Sequence, residues 1–251
     1  MQGGSTELRA FAAAIAFLTR VPIGRAVELD AADVGRGAAL FPLVGAGVGL
    51  VVGGVTVGLR GPLTPALAAV LGLAAGAVVT GVLHLDALAD TADALGAATR
   101  ERALEIMRDH SVGAYGAVAL VLDLGAKAVA LATLAGRPHF LAYVVCAAAA
   151  GRVAPVLLSA ALPYARAGGG LGRALGQTGW ARCAVAFALA AAICLAVAGR
   201  NGAILFAVAV ALSVAAIPVA RRWLGGITGD VLGATVELSE LAALVAAVAL
   251  T

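Results

Sequence analysis

Charge is scarce in this chain. Only 12% of its 251 residues are Asp, Glu, Lys or Arg, about half the share found in a soluble domain. A water-soluble globule is therefore excluded: with 62% hydrophobic residues and a mean hydropathy of +1.03, too little polar surface remains to cover a core. Aromatics make up 4%. The three cysteines, Cys146, Cys183 and Cys194, lie inside or at the edge of apolar stretches, with no metal-ligand spacing. That rules out a disulfide framework and a zinc site, and leaves them as small buried residues. Long period-2 alternation is absent, so a transmembrane β-barrel is excluded. No cleavable signal peptide is expected, because the stretch Leu8 to Val21 is interrupted by Arg9 and Arg20 and lacks a cleavage pattern. The net charge of +3 gives no ground for a nucleic-acid partner.

What is present is Ala, Val, Leu and 33 Gly, in apolar runs long enough to cross a bilayer, which takes roughly 20 residues. Runs at 37–59, 61–83, 183–199, 202–220 and 231–251 qualify or nearly so, and 111–135 and 139–162 do so while carrying charge. The expected fold is all-α: a polytopic membrane bundle of about seven transmembrane helices, folded as one domain over 1–251. The stretch from Leu8 to Ile23, within an N-terminal segment 1–36, is too short and too charged to be an eighth span, and is expected to lie in the interface. Small residues at this density let helices approach closely and permit a homodimer.

Basic residues test that topology. Between successive spans they number 4, 1, 3, 1, 3, 1, 2 and 0, and Lys127 and Arg152 complete the 17. By the positive-inside rule the N-terminus and the richer connections face the cytoplasm. This predicts a multi-pass protein of the cytoplasmic (inner) membrane. No internal repeat is evident, and the Gly-rich loop 163–180 reads as the most flexible segment.

Acidic residues, by contrast, are concentrated. Six of 14 fall between 86 and 109, within an acidic segment spanning 84–110. In the run from His84 to Asp93, a continuing helix places Asp86, Asp90 and Asp93 at i, i+4 and i+7, on one face. Stacked carboxylates repel unless a cation lies among them, and hard oxygen ligands suit Mg²⁺ or Mn²⁺ with substrate phosphates. A solvated acidic helix end would instead interleave Lys, and none occurs here. Asp109 follows Arg108, and Gly113 and Gly116 point to close approach by a neighbouring helix or a phosphate.

Charges within the spans are expensive and mark function. Asp123 and Lys127 are one turn apart and can neutralise each other, or Lys127 can face a substrate. Arg152 has no partner in its own span; a carboxylate or carbonyl on another helix and a phosphate are the alternatives. Asp230 stands at the expected cytoplasmic end of the last span, where it can join the first cluster, while Glu237 and Glu240 point to polar contacts inside the bundle. His84, beside the acidic run, is the most informative histidine. A cation site at a membrane face ringed by arginines suits a diphosphate substrate, because phosphoryl transfer needs positioning and charge neutralisation above all.

Several motifs then resemble the cobalamin synthase family. They are His84-Leu85-Asp86, Asp90-Thr91-Ala92-Asp93, Gly96, Arg102, Glu105-Ile106-Met107-Arg108-Asp109, and Gly113-Ala114-Tyr115-Gly116. Phe17-Leu18-Thr19-Arg20-Val21-Pro22, Phe41-Pro42-Leu43-Val44-Gly45, Gly151-Arg152 and Gly229-Asp230 through Gly233-Ala234 and Glu237 extend the likeness over nearly the whole chain in order. Departures are Ala87 and Ala94, where many members have Gly, and Asp123 at a usually apolar position. The resemblance implies adenosylcobinamide-GDP ribazoletransferase activity. A hydroxyl of α-ribazole, or of its 5′-phosphate, displaces GMP from adenosylcobinamide-GDP and forms adenosylcobalamin or its 5′-phosphate.

The resemblance further implies Mg²⁺ as cofactor. Asp86, Asp90 and Asp93 are then expected to hold metal and diphosphate, with Asp109 completing the metal site or acting as base. Arg108, Lys127 and Arg152 are expected to neutralise phosphate oxygens, with His84, Gly113 and Asp230 contributing to substrate binding. Two alternatives stand beside it. One is a CDP-alcohol phosphotransferase, whose Asp-Gly and Ala-Arg spacing is missing after Asp90. The other is a transporter, which would place its acids near mid-membrane in repeated halves.

Overall fold

A computed structural model describes residues 2–25, 29–109, 111–166, 175 and 178–251. Among these, backbone groups are satisfied almost wholly within helices, as a bilayer requires, and the one β feature is a bridge between Tyr164 and Ile227. The helices are α1 (Gln2–Leu18), α2 (Ala31–Gly37), α3 (Phe41–Leu59), α4 (Pro65–Thr80), α5 (Leu83–Ala94), α6 (Arg100–Ile106), α7 (Ala114–Leu134), α8 (Phe140–Gly151), α9 (Val153–Ala161), α10 (Trp180–Leu224) and α11 (Gly229–Ala249).

By length and composition five segments can cross a membrane: Ala31–Leu59, Ala114–Leu134, Phe140–Ala161, Trp180–Leu224 and Gly229–Ala249. The bent pair α4 and α5 supplies a sixth. Helix α10 supplies one more. At 45 residues it would be about 67 Å long if straight, more than twice a bilayer core, and it breaks at Gly199, where φ is 53° and ψ −132°. The rings of Phe187 and Phe206 touch edge to face with centroids 5.5 Å apart, although nineteen residues of straight helix would separate them by about 28 Å. Segments 180–198 and 200–224 are thus two antiparallel helices, and seven membrane-length elements result.

The second expected span needs correction. It ends at Thr80, and α5 departs from it at 93°. Gly81 and Val82 both take the left-handed conformation, with φ of 61° and 63°. For valine, branched at Cβ, this is a strained position. The acidic run is therefore a separate helix, packed on α11 and α7, rather than the tail of a straight span.

Helix α1 is not membrane-spanning by these criteria. It rests on α2 and α3, and its Arg9 binds Asp33 at 2.7 Å, which Arg36 also binds at 2.6 Å. The Gly-rich loop expected to be flexible falls mostly outside the described residues, at 167–174, 176 and 177. All three cysteines are free and buried.

Two large apolar cores, beside a small cluster of Ala46, Val145 and Ala149, divide the described part of the bundle. One joins Leu18, Phe41, Met107, Val156 and Leu232; the other joins Leu131, Phe140, Leu205 and Leu244. Along α11 the first core takes Val231 and Leu232 and the second takes Ala243, Leu244 and Ala247. Glu237 and Glu240 lie between them, so a polar layer separates the cores.

Candidate active site

Helix α5 carries the site. Its apolar positions, including Ala87, Leu88, Ala89 and Ala92, are buried, and this leaves Asp86, Asp90 and Asp93 on the remaining face. Asp86 is exposed, and Asp90 and Asp93 are half-buried.

Asp93 is committed to a neighbour. One carboxylate oxygen accepts the Gly113 amide at 2.7 Å and the other the Gly116 amide at 2.8 Å. Both donors belong to the first turn of α7, where orphan N–H groups and the helix dipole favour an anion. A Cβ at Gly113 or Gly116 would come within 2.5 Å and 2.4 Å of this carboxylate. The close approach read from these glycines is made by a side chain of α5.

Asp90 sits among acids. The charges of Asp86, Asp230 and Asp93 bear on it, with Arg166 as a nearby cation. Asp230 lies in the first turn of α11, whose N-cap Thr228 accepts the Val231 amide. It joins the α5 cluster, as its place in the sequence allowed. Arg166 binds Asp230 at 2.6 Å and also donates to the Met107 carbonyl at 3.3 Å. That tie draws the end of α6 toward Asp230. Arg108 and Asp109 follow Met107 directly and are exposed, and the Asp109 carboxylate accepts the Ser111 amide at 3.1 Å.

Among the described residues, no group of three or more His, Cys, Asp or Glu side chains is gathered closely enough to hold a metal ion by itself. Asp86 and Asp90 could hold a hard divalent cation together with other ligands. They are acids short of positive charge, and Mg²⁺ commonly takes one or two carboxylates and completes its shell with water and phosphate oxygens.

Lys127 and Arg152 occupy a different place. Both are buried in the polar layer. Lys127 binds Asp123 at 2.9 Å and also pairs with Glu237, while Arg152 pairs with Glu240. For Arg152, a carboxylate on another helix, one of the partners the sequence allowed, is in place. His84 is buried at the junction: it lines a small cavity of about 60 Å³ with Lys127, Arg152, Glu237 and Glu240, and also a larger one of about 230 Å³ on the acidic side.

The larger cavity is walled by Phe17 and Leu18 of α1, Phe41 of α3, Leu83 of α5 and Leu232 and Val236 of α11. Asp86, Asp230, Arg166 and Tyr164 form its polar part. Arg166 and the two phenylalanines were not picked out as site residues from sequence. Arg166 had one signal, a basic residue in a connection on the same expected face as the acids. Phe17 and Phe41 stood within matched motifs yet carry no chemistry of their own.

A sequence model of the family described as cobalamin-5-phosphate synthase matches residues 10–248. The chain is 38% identical over 243 residues to the adenosylcobinamide-GDP ribazoletransferase of Citrobacter koseri, covering 94% of this chain and 98% of the relative. It is 40% identical over 255 residues to the protein of that name from Leptothrix cholodnii, covering 94% of each. The corresponding Escherichia coli protein is 36% identical over 243 residues, covering 94% of this chain and 98% of the relative. No solved structure matches the chain.

Proposed function

This chain belongs to the cobalamin-5-phosphate synthase family, and from that premise we propose that it is an Mg²⁺-dependent adenosylcobinamide-GDP ribazoletransferase. The observation that carries the assignment to a site is the meeting of Asp86 and Asp230 beside Arg166 at one polar-rimmed cavity, with Asp90 outside its lining but near enough for their charges to act on it. A ribose hydroxyl of α-ribazole or its 5′-phosphate attacks the phosphorus attached to cobinamide. A new P–O bond forms, the P–O bond to GMP breaks, and the hydroxyl proton leaves to a carboxylate.

Asp86 and Asp90 would hold Mg²⁺, which when bound neutralises diphosphate charge and stabilises the departing GMP. Asp93, with both oxygens on α7 amides, positions α5 against α7. Asp230 and Arg166 form a pair whose guanidinium can turn toward a phosphate oxygen. Asp109, two residues beyond the carbonyl that Arg166 holds, stands in the acidic segment as the candidate base, and Arg108 as an exposed cation for phosphate. Lys127 and Arg152 act at a distance, by fixing α7, α8 and α11 around His84. The active face is the cytoplasmic one by the distribution of arginines, where nucleotide substrates are found.

The test is direct. Purified protein in lipid receives adenosylcobinamide-GDP and α-ribazole 5′-phosphate, with Mg²⁺ or with chelator, and GMP and corrinoids are separated by chromatography. GMP release with a new cobalamin product, lost with chelator and restored by Mg²⁺, is the expected result. No product from well-folded protein would overturn the assignment.

A further inference from the structure

The two substrates named above differ greatly in bulk, and the larger cavity discriminates between them. Its volume of about 230 Å³ is below the roughly 300–1,000 Å³ typical of pockets that enclose a drug-sized ligand. It has the size of a two-ring heterocycle and is far too small to enclose a corrin ring with its side chains.

The lining has matching chemistry. Phe41 is fully buried, and its ring lies parallel to that of Phe17, with centroids 5.6 Å apart and planes 11° apart. Leu83, Leu232 and Val236 complete an apolar wall, whereas the charged groups Asp86, Asp230 and Arg166 lie on the polar part. The base of α-ribazole is a methyl-substituted benzimidazole, flat and without exocyclic donors. Guanine, the base of the other substrate, carries a polar edge that such a wall would leave unpaired.

We propose that this cavity, between α1, α3, α5 and α11, is the binding site for the benzimidazole base of the acceptor nucleoside. In this arrangement the half-buried Phe17 meets the base and the fully buried Phe41 backs it, so that the pair sets base specificity, and the ribose hydroxyls are held toward Asp86 and Asp230. The inference rests on the ribazoletransferase reading and assigns to residues of α1 and α3 a role outside the acidic segment. It also gives the N-terminal helix a reason to pack against the catalytic end of the bundle.

The experiment measures steady-state kinetics with each substrate varied in turn, together with equilibrium dialysis of α-ribazole against the protein in detergent. Phe17→Leu and Phe41→Leu are compared with wild type, Phe17 being half-buried and so the milder change. The expected result is a rise of about tenfold in KM and in dialysis Kd for α-ribazole. KM for adenosylcobinamide-GDP and saturated kcat stay within about twofold. Wild type should also disfavour an acceptor whose benzimidazole lacks its methyl groups by about tenfold or more, the usual size of such apolar discrimination, and Phe17→Leu should shrink that ratio. A shift in KM for adenosylcobinamide-GDP instead, or folded variants with unchanged α-ribazole KM and Kd, would overturn the assignment while leaving the transferase reading intact. A wild-type protein that neither binds α-ribazole nor makes cobalamin would overturn both.

Discussion

The Asp93 carboxylate accepts the Gly113 amide at 2.7 Å across the gap between α5 and α7. With the Gly116 bond it fixes the acidic helix against the start of a membrane span, so α5 is held at both ends: by the bend at Gly81–Val82 and by this anion–dipole clasp.

Replacing Asp93 with Asn removes the charge from the clasp and one acceptor with it. The expected loss is about 1.5–3 kcal/mol, the usual worth of a hydrogen bond to a charged group. Gly116→Ala should cost at least as much, because its Cβ would lie 2.4 Å from the carboxylate and 2.9 Å from the Ala89 carbonyl. Thermal unfolding in detergent checks both.

Asp86→Asn and Asp90→Asn should each lower kcat by at least about a hundredfold, the scale of losing one preorganised electrostatic group. Expression, membrane insertion and elution volume should stay as in wild type, since Asp86 is exposed and Asp90 only half-buried. Normal turnover in both variants would end the metal assignment.

Within the polar layer, Glu240→Gln strands Arg152 and should cost about 3–5 kcal/mol, as for a buried pair broken on one side. The double change Arg152→Met with Glu240→Met should recover much of that loss. If catalysis needs the charges only to register the helices, the double variant should also regain activity relative to the single one. Melting curves and GMP release on the same preparations decide both points.

The seven membrane-length elements were legible because spans declare themselves in one dimension, by apolar length and by the alternation of arginines in the connections. The acidic segment was legible for the same reason, since Asp86, Asp90 and Asp93 are spaced by the helix itself. Arg166 and Asp230 are a contact between residues 64 apart, and Lys127 and Glu237 are 110 apart. Such pairs are chosen by helix packing, on which periodicity is silent. The bend at Gly81–Val82 was hidden for another reason: a left-handed valine contradicts local preference and exists only because surrounding contacts impose it.

Arg152 has a bearing on biogenesis. It enters the bilayer at the joint of α8 and α9 with no carboxylate nearby in sequence, and its counter-ion, Glu240, is delivered by α11. During synthesis the guanidinium stays uncompensated through two further helical segments. The half-made protein therefore carries a buried charge without its counter-ion, and arrival of α11 neutralises it. A chain truncated before Glu240 would keep that charge unmatched.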